Sequence, residues 1–214
     1  KALLEAKIKA VAAHFQLHDV GDDFLSFVAM YKSIGVKYLV FAPVPDELRP
    51  VDGSDNKEIL EKWAYMGRIC SEQGIQLAFH NHEWDFEKKV DGLYMLDYLR
   101  EHLPHEYFQP ELDVGWVLAA GIDPVEYMSH FYGYLPLVHA KDFQGTLDEE
   151  INRHNFKGFR FCPLGNGNLD LPAVLKASEA NYSKYIIVEQ DSSEGQDSLE
   201  CARISRENLK ALGW

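Results

Sequence analysis

Residues 76–83 read QLAFHNHE: Gln76, Leu77, Ala78 and Phe79 have the character of a buried strand and run straight into His80, Asn81, His82 and Glu83. A short apolar run that ends abruptly in ionisable groups is the mark of a strand whose exit faces a site. The same form recurs along the chain. ELDVGW (111–116) brings Asp113 to a strand end, LVHAKD (137–142) brings His139, Lys141 and Asp142, and IIVEQD (186–191) brings Glu189 and Asp191. His14 closes an earlier apolar run.

Between these runs lie stretches with apolar residues spaced three and four apart, the signature of amphipathic helices. Strands are expected at Ile8–His14, Lys37–Ala42, Gln76–His80, Gln109–Val114, Leu135–Lys141 and Tyr185–Glu189. Helices are expected at Asp22–Ile34, Lys57–Gln73, Gly92–His102, Asp123–Tyr132, Leu171–Glu179 and Leu199–Leu212. Asp123-Pro124 supplies an N-cap followed by proline at the first helical position. Gly35 and Gly74 stand where left-handed C-caps are wanted. The aromatic stretches Phe24–Tyr31 and Tyr127–Tyr134 read as core, and Glu149-Glu150 as a solvated face.

Strand–helix alternation repeated six times specifies a parallel sheet with right-handed crossovers. A dinucleotide-type sheet needs a glycine-rich turn after its first strand, and none is present. A (β/α)8 barrel instead predicts ionisable residues at many C-terminal strand ends, which is the pattern here. Six units in 214 residues average about 36 residues, so eight need roughly 285. The expectation is one α/β domain spanning 1–214, a TIM barrel in which the first two βα units are absent ahead of Lys1. That leaves a targeting segment upstream open, and open sheet edges would favour a homo-oligomer.

Composition narrows the function. The chain has 21 Lys+Arg against 34 Asp+Glu, a formal net charge of −13, which argues against nucleic acid and anionic membrane surfaces. No apolar run approaches the roughly 18–20 residues that span a bilayer. Cys70, Cys162 and Cys201 are odd in number, dispersed and form no CxxC pair, so a reducing, cytoplasmic setting is the simplest reading.

A lone strand-end histidine is most often a hydrogen-bonded structural residue, and His102, His105, His130 and His154 are read as surface or loop positions. Imidazole and carboxylate groups at four successive strand exits are harder to attribute to packing. Mixed nitrogen and oxygen donors suit Mn²⁺, Zn²⁺, Co²⁺ or Fe²⁺ better than Ca²⁺.

HNHEWDF, ELDVGWVLAAGIDPVEY, LVHAKDF, PLGNGNLDLPAVL and YIIVEQD together resemble the sugar phosphate isomerase/epimerase family of the xylose isomerase-like TIM barrel superfamily. The resemblance implies one divalent metal, Mn²⁺ first and Zn²⁺, Co²⁺, Mg²⁺ or Fe²⁺ as alternatives, held by His80, Asp113, His139 and Glu189. In many relatives the first ligand is a glutamate in a Glu-Asn-His motif, where this chain reads His80-Asn81-His82, so His82 also competes for the role. It further implies a small sugar or cyclitol as substrate. The expected reaction is proton abstraction next to a carbonyl, an isomerisation or epimerisation, with Glu189 as base. The alternatives are a dehydratase or lyase of inosose-dehydratase or 3-keto-glycoside type, and a non-catalytic carbohydrate-binding barrel. Glu83, Glu111 or His82 would supply the second proton-transfer role. His14, His82, Trp116 and Lys141 are expected to face substrate, with Lys141 also catalytic or else paired with Asp142. Asn81 is expected to orient its neighbours. Gly165–Gly167 would bring amides near an anionic group, although no Arg or Lys cluster accompanies them.

Overall fold

The computed structural model describes residues 2–21, 23–145 and 159–214. Its residues fall into two compact units, Lys1–Asn81 with Lys88–Glu111, and His82–Glu87 with Leu112–Trp214.

The first unit contains α1 (Ala2–Glu5), β1 (Ala12–Phe15), α2 (Phe24–Ser33), β2 (Tyr38–Phe41), α3 (Lys57–Glu72), β3 (Gln76–His80), α4 (Met95–His102) and the first three residues of β4 (Gln109–Asp113). The strands run parallel in the order β1-β2-β3-β4. Register places Phe15 beside Phe41 and Phe41 beside Phe79. Each of these rings is buried. Phe15 meets Phe27 of α2 at 5.4 Å, and Trp63 of α3 lies 5.5 Å from Phe41, 6.2 Å from Phe79 and 5.9 Å from Phe108. The Trp63 indole N–H donates to the Leu48 carbonyl at 2.9 Å, so its one polar atom is satisfied in the core. At the strand exits, register pairs His80 with Glu111.

The second unit contains α5 (Val114–Ala119), α6 (Pro124–Met128), β5 (Leu137–Ala140), β6 (Asp142–Gln144), β7 (Arg160–Cys162), α7 (Leu171–Ala180), β8 (Tyr185–Val188) and α8 (Ser198–Ala211). β5 and β8 are parallel, with His139 beside Ile187 and Ala140 beside Val188. The Glu189 N–H then donates to the Ala140 carbonyl, which sets Glu189 at the exit next to His139.

The six expected parallel strands are all present, most of them one to three residues shorter than the apolar runs that announced them. Three features differ. Asp113 does not merely end β4: its carboxylate accepts from the Trp116 N–H at 3.0 Å and caps α5, so the strand turns directly into a helix. β6 and β7 form an antiparallel ribbon outside the alternation, carrying Phe143 and Phe161 against Trp116 and Phe159. The helix expected at Asp123–Tyr132 is α6 followed by a 3-10 turn over Ser129–Phe131. His154 and Glu149-Glu150 lie outside the described residues. Among the described residues no helix is long and apolar enough to cross a membrane.

Candidate active site

In the first unit the carboxylate of Glu111, wholly buried, lies between two imidazoles. Its Oε2 is 2.5 Å from His14 Nε2 and 3.2 Å from His80 Nδ1. The two rings are 4.9 Å apart, with His14 36% exposed at its side chain and His80 buried. Donor atoms of His14, His80 and Glu111 all lie within 4.8 Å of one another. Neighbouring Asn81 is completely buried.

In the second unit the centre is Lys141. Its ammonium is 2% exposed and lies 3.1 Å from Asp113 Oδ2, 3.0 Å from Glu189 Oε2 and 3.0 Å from Asp191 Oδ2. Burial alone would lower the Lys141 pKa, but the three carboxylates outweigh it and hold the amine charged, raised above its ordinary value. His139 Nδ1 donates to the same Glu189 oxygen at 3.0 Å. Burial pushes the Glu189 carboxyl up, yet the His139 hydrogen bond and the Lys141 charge prevail and keep it well below the usual carboxylate range. Asp191 is raised, because burial exceeds the opposing pull of Lys141.

Gly115 makes this approach feasible. A Cβ at Gly115 would come within 2.6 Å of the Lys141 carbonyl oxygen and 2.8 Å of its Cβ, so only glycine lets α5 lie on the end of β5. The Trp116 ring faces the Lys141 ammonium at 4.5 Å, a cation–π distance, and also stacks on Phe159 and meets Phe161 edge-on. Trp116 is thus packed into the aromatic core while its face meets the Lys141 ammonium. The ring of His82 stacks on Trp84 at 4.2 Å, 5.9 Å from Trp116. Glu83 opens the 3-10 turn Glu83–Phe86, which His82 precedes and which also carries Trp84. Burial, with Asp85 and Glu87 adding their charges, pushes its carboxyl up to about 7 against the pull of Lys141.

Asp142 faces away from this cluster, and Lys141 takes Asp113, Glu189 and Asp191 as partners in place of the adjacent Asp142 that sequence suggested. Asp142 Oδ1 accepts from the N–H groups of Phe143 and Leu169 at 2.9 and 3.0 Å. Its Oδ2 accepts from Gly165 and Gly167 at 2.9 and 2.8 Å. The glycine loop thus spends its amides on a buried side chain of the same protein, which corrects the reading of Gly165–Gly167 as amides for an anionic substituent. A Cβ at Gly167 would sit 2.2 Å from Asp142 Oδ1, so the close approach requires glycine.

Asp113, His139 and Glu189 each offer a donor atom, all within 4.8 Å of one another. Among the described residues His80, and not His82, belongs to a cluster of this kind. One imidazole and two carboxylates, already gathered around a cationic ammonium, fit a first-row divalent cation. Sequence reasoning missed the weight of Glu111 and of Asp191. Glu111 stands two residues before Asp113, the spacing that puts two side chains on one face of a strand, and that spacing was the available signal.

A model of the xylose isomerase-like TIM barrel matches residues 16–212. The chain belongs to that family. Inosose dehydratase of Clostridium perfringens is 24% identical over 177 residues, which cover 78% of this chain and 58% of that relative's length. A solved sugar phosphate isomerase/epimerase from Parabacteroides distasonis superposes with a TM-score of 0.74 at 21% identity, covering 98% of this chain and 73% of that one. A zinc-bound IolI protein superposes with a TM-score of 0.66 at 18% identity, covering 99% and 80%. The chain thus spans little more than half the length of the curated relative.

Proposed function

We propose that this chain carries the active site of a divalent-metal-dependent lyase that removes water from a cyclic polyhydroxy ketone, a sugar or cyclitol. Asp113, His139 and Glu189 are its metal ligands and His80 is the fourth. The observation that carries the reading is the convergence of Asp113, His139 and Glu189 donor atoms within 4.8 Å in a site that already neutralises a buried cation. Sequence put isomerase or epimerase ahead of dehydratase, and the inosose dehydratase relative supports the opposite order. Isomerisation shares the first proton abstraction and remains the second reading, favoured by the Parabacteroides neighbour's name. The metal is an ion of the Mn²⁺, Zn²⁺, Co²⁺, Fe²⁺ or Mg²⁺ group, and zinc in the IolI protein supports that class without selecting Mn²⁺.

When bound, such an ion polarises the substrate carbonyl as a Lewis acid. The protein's own groups divide the remaining work. Lys141, held charged beside Trp116, donates a hydrogen bond to the oxygen on which charge develops. Glu189, kept ionised by His139 and Lys141, is poorly suited to take a proton and serves as ligand. Glu83 has a carboxyl near 7, the range in which one group can both accept and return a proton at neutral pH. In this reading Glu83 removes the proton from the carbon next to the carbonyl. The C–H electron pair forms the new C=C bond, the C–O bond of the β-hydroxyl breaks, and Glu83 returns its proton to the departing oxygen as water. His82 and Trp116 line the substrate's flank, and His14 hydrogen-bonds a hydroxyl or supports Glu111.

The test follows a cyclic polyhydroxy ketone with metal-loaded protein in D₂O, reading enone absorbance and solvent exchange of the α-proton. Both signals are expected in wild type, and both are lost in Glu83→Gln. Exchange without enone would favour isomerase chemistry, and neither signal with any cyclic or open-chain ketose would refute the catalytic reading in favour of a carbohydrate-binding barrel.

A further inference from the structure

The carboxylate of Glu111 is one of the most completely buried charged groups of the first unit, and an ionised carboxylate only accepts hydrogen bonds. With Glu111 ionised, the two imidazole nitrogens that meet its Oε2, His14 Nε2 and His80 Nδ1, are the N–H nitrogens. For His80 this has a definite consequence. With its proton fixed on Nδ1, the lone pair sits on Nε2, and the ring is held in one orientation by a strand neighbour in direct register. A neutral imidazole with a carboxylate behind it is a stronger and better-aimed donor than an imidazole alone.

We propose that Glu111 is the positioning residue of the metal centre: through the His80 Nδ1–H bond it fixes the ring's tautomer and lends the site a negative charge that His80 itself lacks. His14, donating to the same oxygen from the more exposed side, holds Glu111 in place. The proposal rests on the reading of His80 as a ligand, and it assigns Glu111 no contact with substrate. It also accounts for a buried carboxylate between two histidines, an expensive arrangement that a fold needs only where the orientation of the rings matters.

The experiment has two arms. In the first, nitrogen-detected NMR of apo wild type reads the His80 tautomer, expected to be Nδ1–H with an unprotonated Nε2, and expected to lose that preference in Glu111→Gln. In the second, Zn²⁺ affinity is measured by competition with a chelating dye. Glu111→Gln should weaken binding ten- to a hundredfold with unchanged circular dichroism. The double variant His80→Glu/Glu111→Gln, which moves the carboxylate from behind the ring to the ligand position, should recover most of that loss, whereas His80→Glu alone should not reach wild type.

An unchanged affinity in folded Glu111→Gln, or an Nε2–H tautomer in wild type, would overturn the proposal. If Glu111→Gln fails to fold, Glu111→Asp and His14→Gln read the same couplings. Wild type that binds no metal at all would bring down the proposed function, while the tautomer arm would still decide the positioning role.

Discussion

Replacing Lys141 by methionine removes the ammonium and keeps most of the side chain's volume. Its partner Asp113 is 0% exposed, while Glu189 and Asp191 are 32% and 37% exposed at their side chains. Stripping one member from a buried ion pair costs about 3–5 kcal/mol, because the other charge is left without compensation. The two more exposed pairs add up to about 1 kcal/mol each at most. For a chain of this size each kcal/mol moves the melting temperature by about 2–4 °C, so a loss of about 3–7 kcal/mol should melt Lys141→Met roughly 6–28 °C below wild type in chelator. Divalent metal should narrow that gap, since a cation bound by Asp113 and Glu189 compensates the same carboxylates. Activity should be lost while metal affinity rises, because a like charge beside the site has gone. The assay is a thermal melt of both proteins with chelator and with excess Mn²⁺ or Zn²⁺. A variant melting within about 2 °C of wild type in chelator, less than 1 kcal/mol, or a gap that metal leaves unchanged, would refute the reasoning.

Further outcomes follow from the same geometry. Glu83 is raised from 4.5 to about 7, so the folded state binds the extra proton: its contribution to stability is complete below pH 4.5 and is lost as pH rises through about 7. Denaturation midpoints should fall across that window in wild type and stay flat in Glu83→Gln, and kcat/KM should rise through an apparent pKa near 7. Asp142→Asn offers one acceptor oxygen and an unwanted N–H₂ to four amide donors, a loss of roughly 3–5 kcal/mol measurable by urea unfolding. Gly167→Ala drives a Cβ onto Asp142 Oδ1 and should destabilise by about 1–3 kcal/mol.

Much of the fold was legible because its signals are local. Apolar runs ending in His80, Asp113, His139 and Glu189 marked the strands, and Asp123-Pro124 marked a helix start that the structure shows with Asp123 accepting from Val125 and Glu126. The ribbon of β6 and β7 was invisible, since three-residue strands carry no period to detect. The partners of Lys141 were also illegible: adjacency in sequence favoured Asp142, yet on a strand neighbouring side chains point to opposite faces. Asp142 instead serves the glycine loop twenty-odd residues on, and Lys141 meets carboxylates from β4 and β8's exits. Glu111 was seen only as a spare acid, because its role depends on register between β3 and β4, which sequence does not print.

The most direct measurement is anomalous diffraction from a crystal soaked with Mn²⁺ or Zn²⁺. The account predicts one strong anomalous peak per chain, ligated by His80, Asp113, His139 and Glu189, with Lys141 drawn away from Asp113. A peak on other residues, or none at millimolar metal, would contradict it.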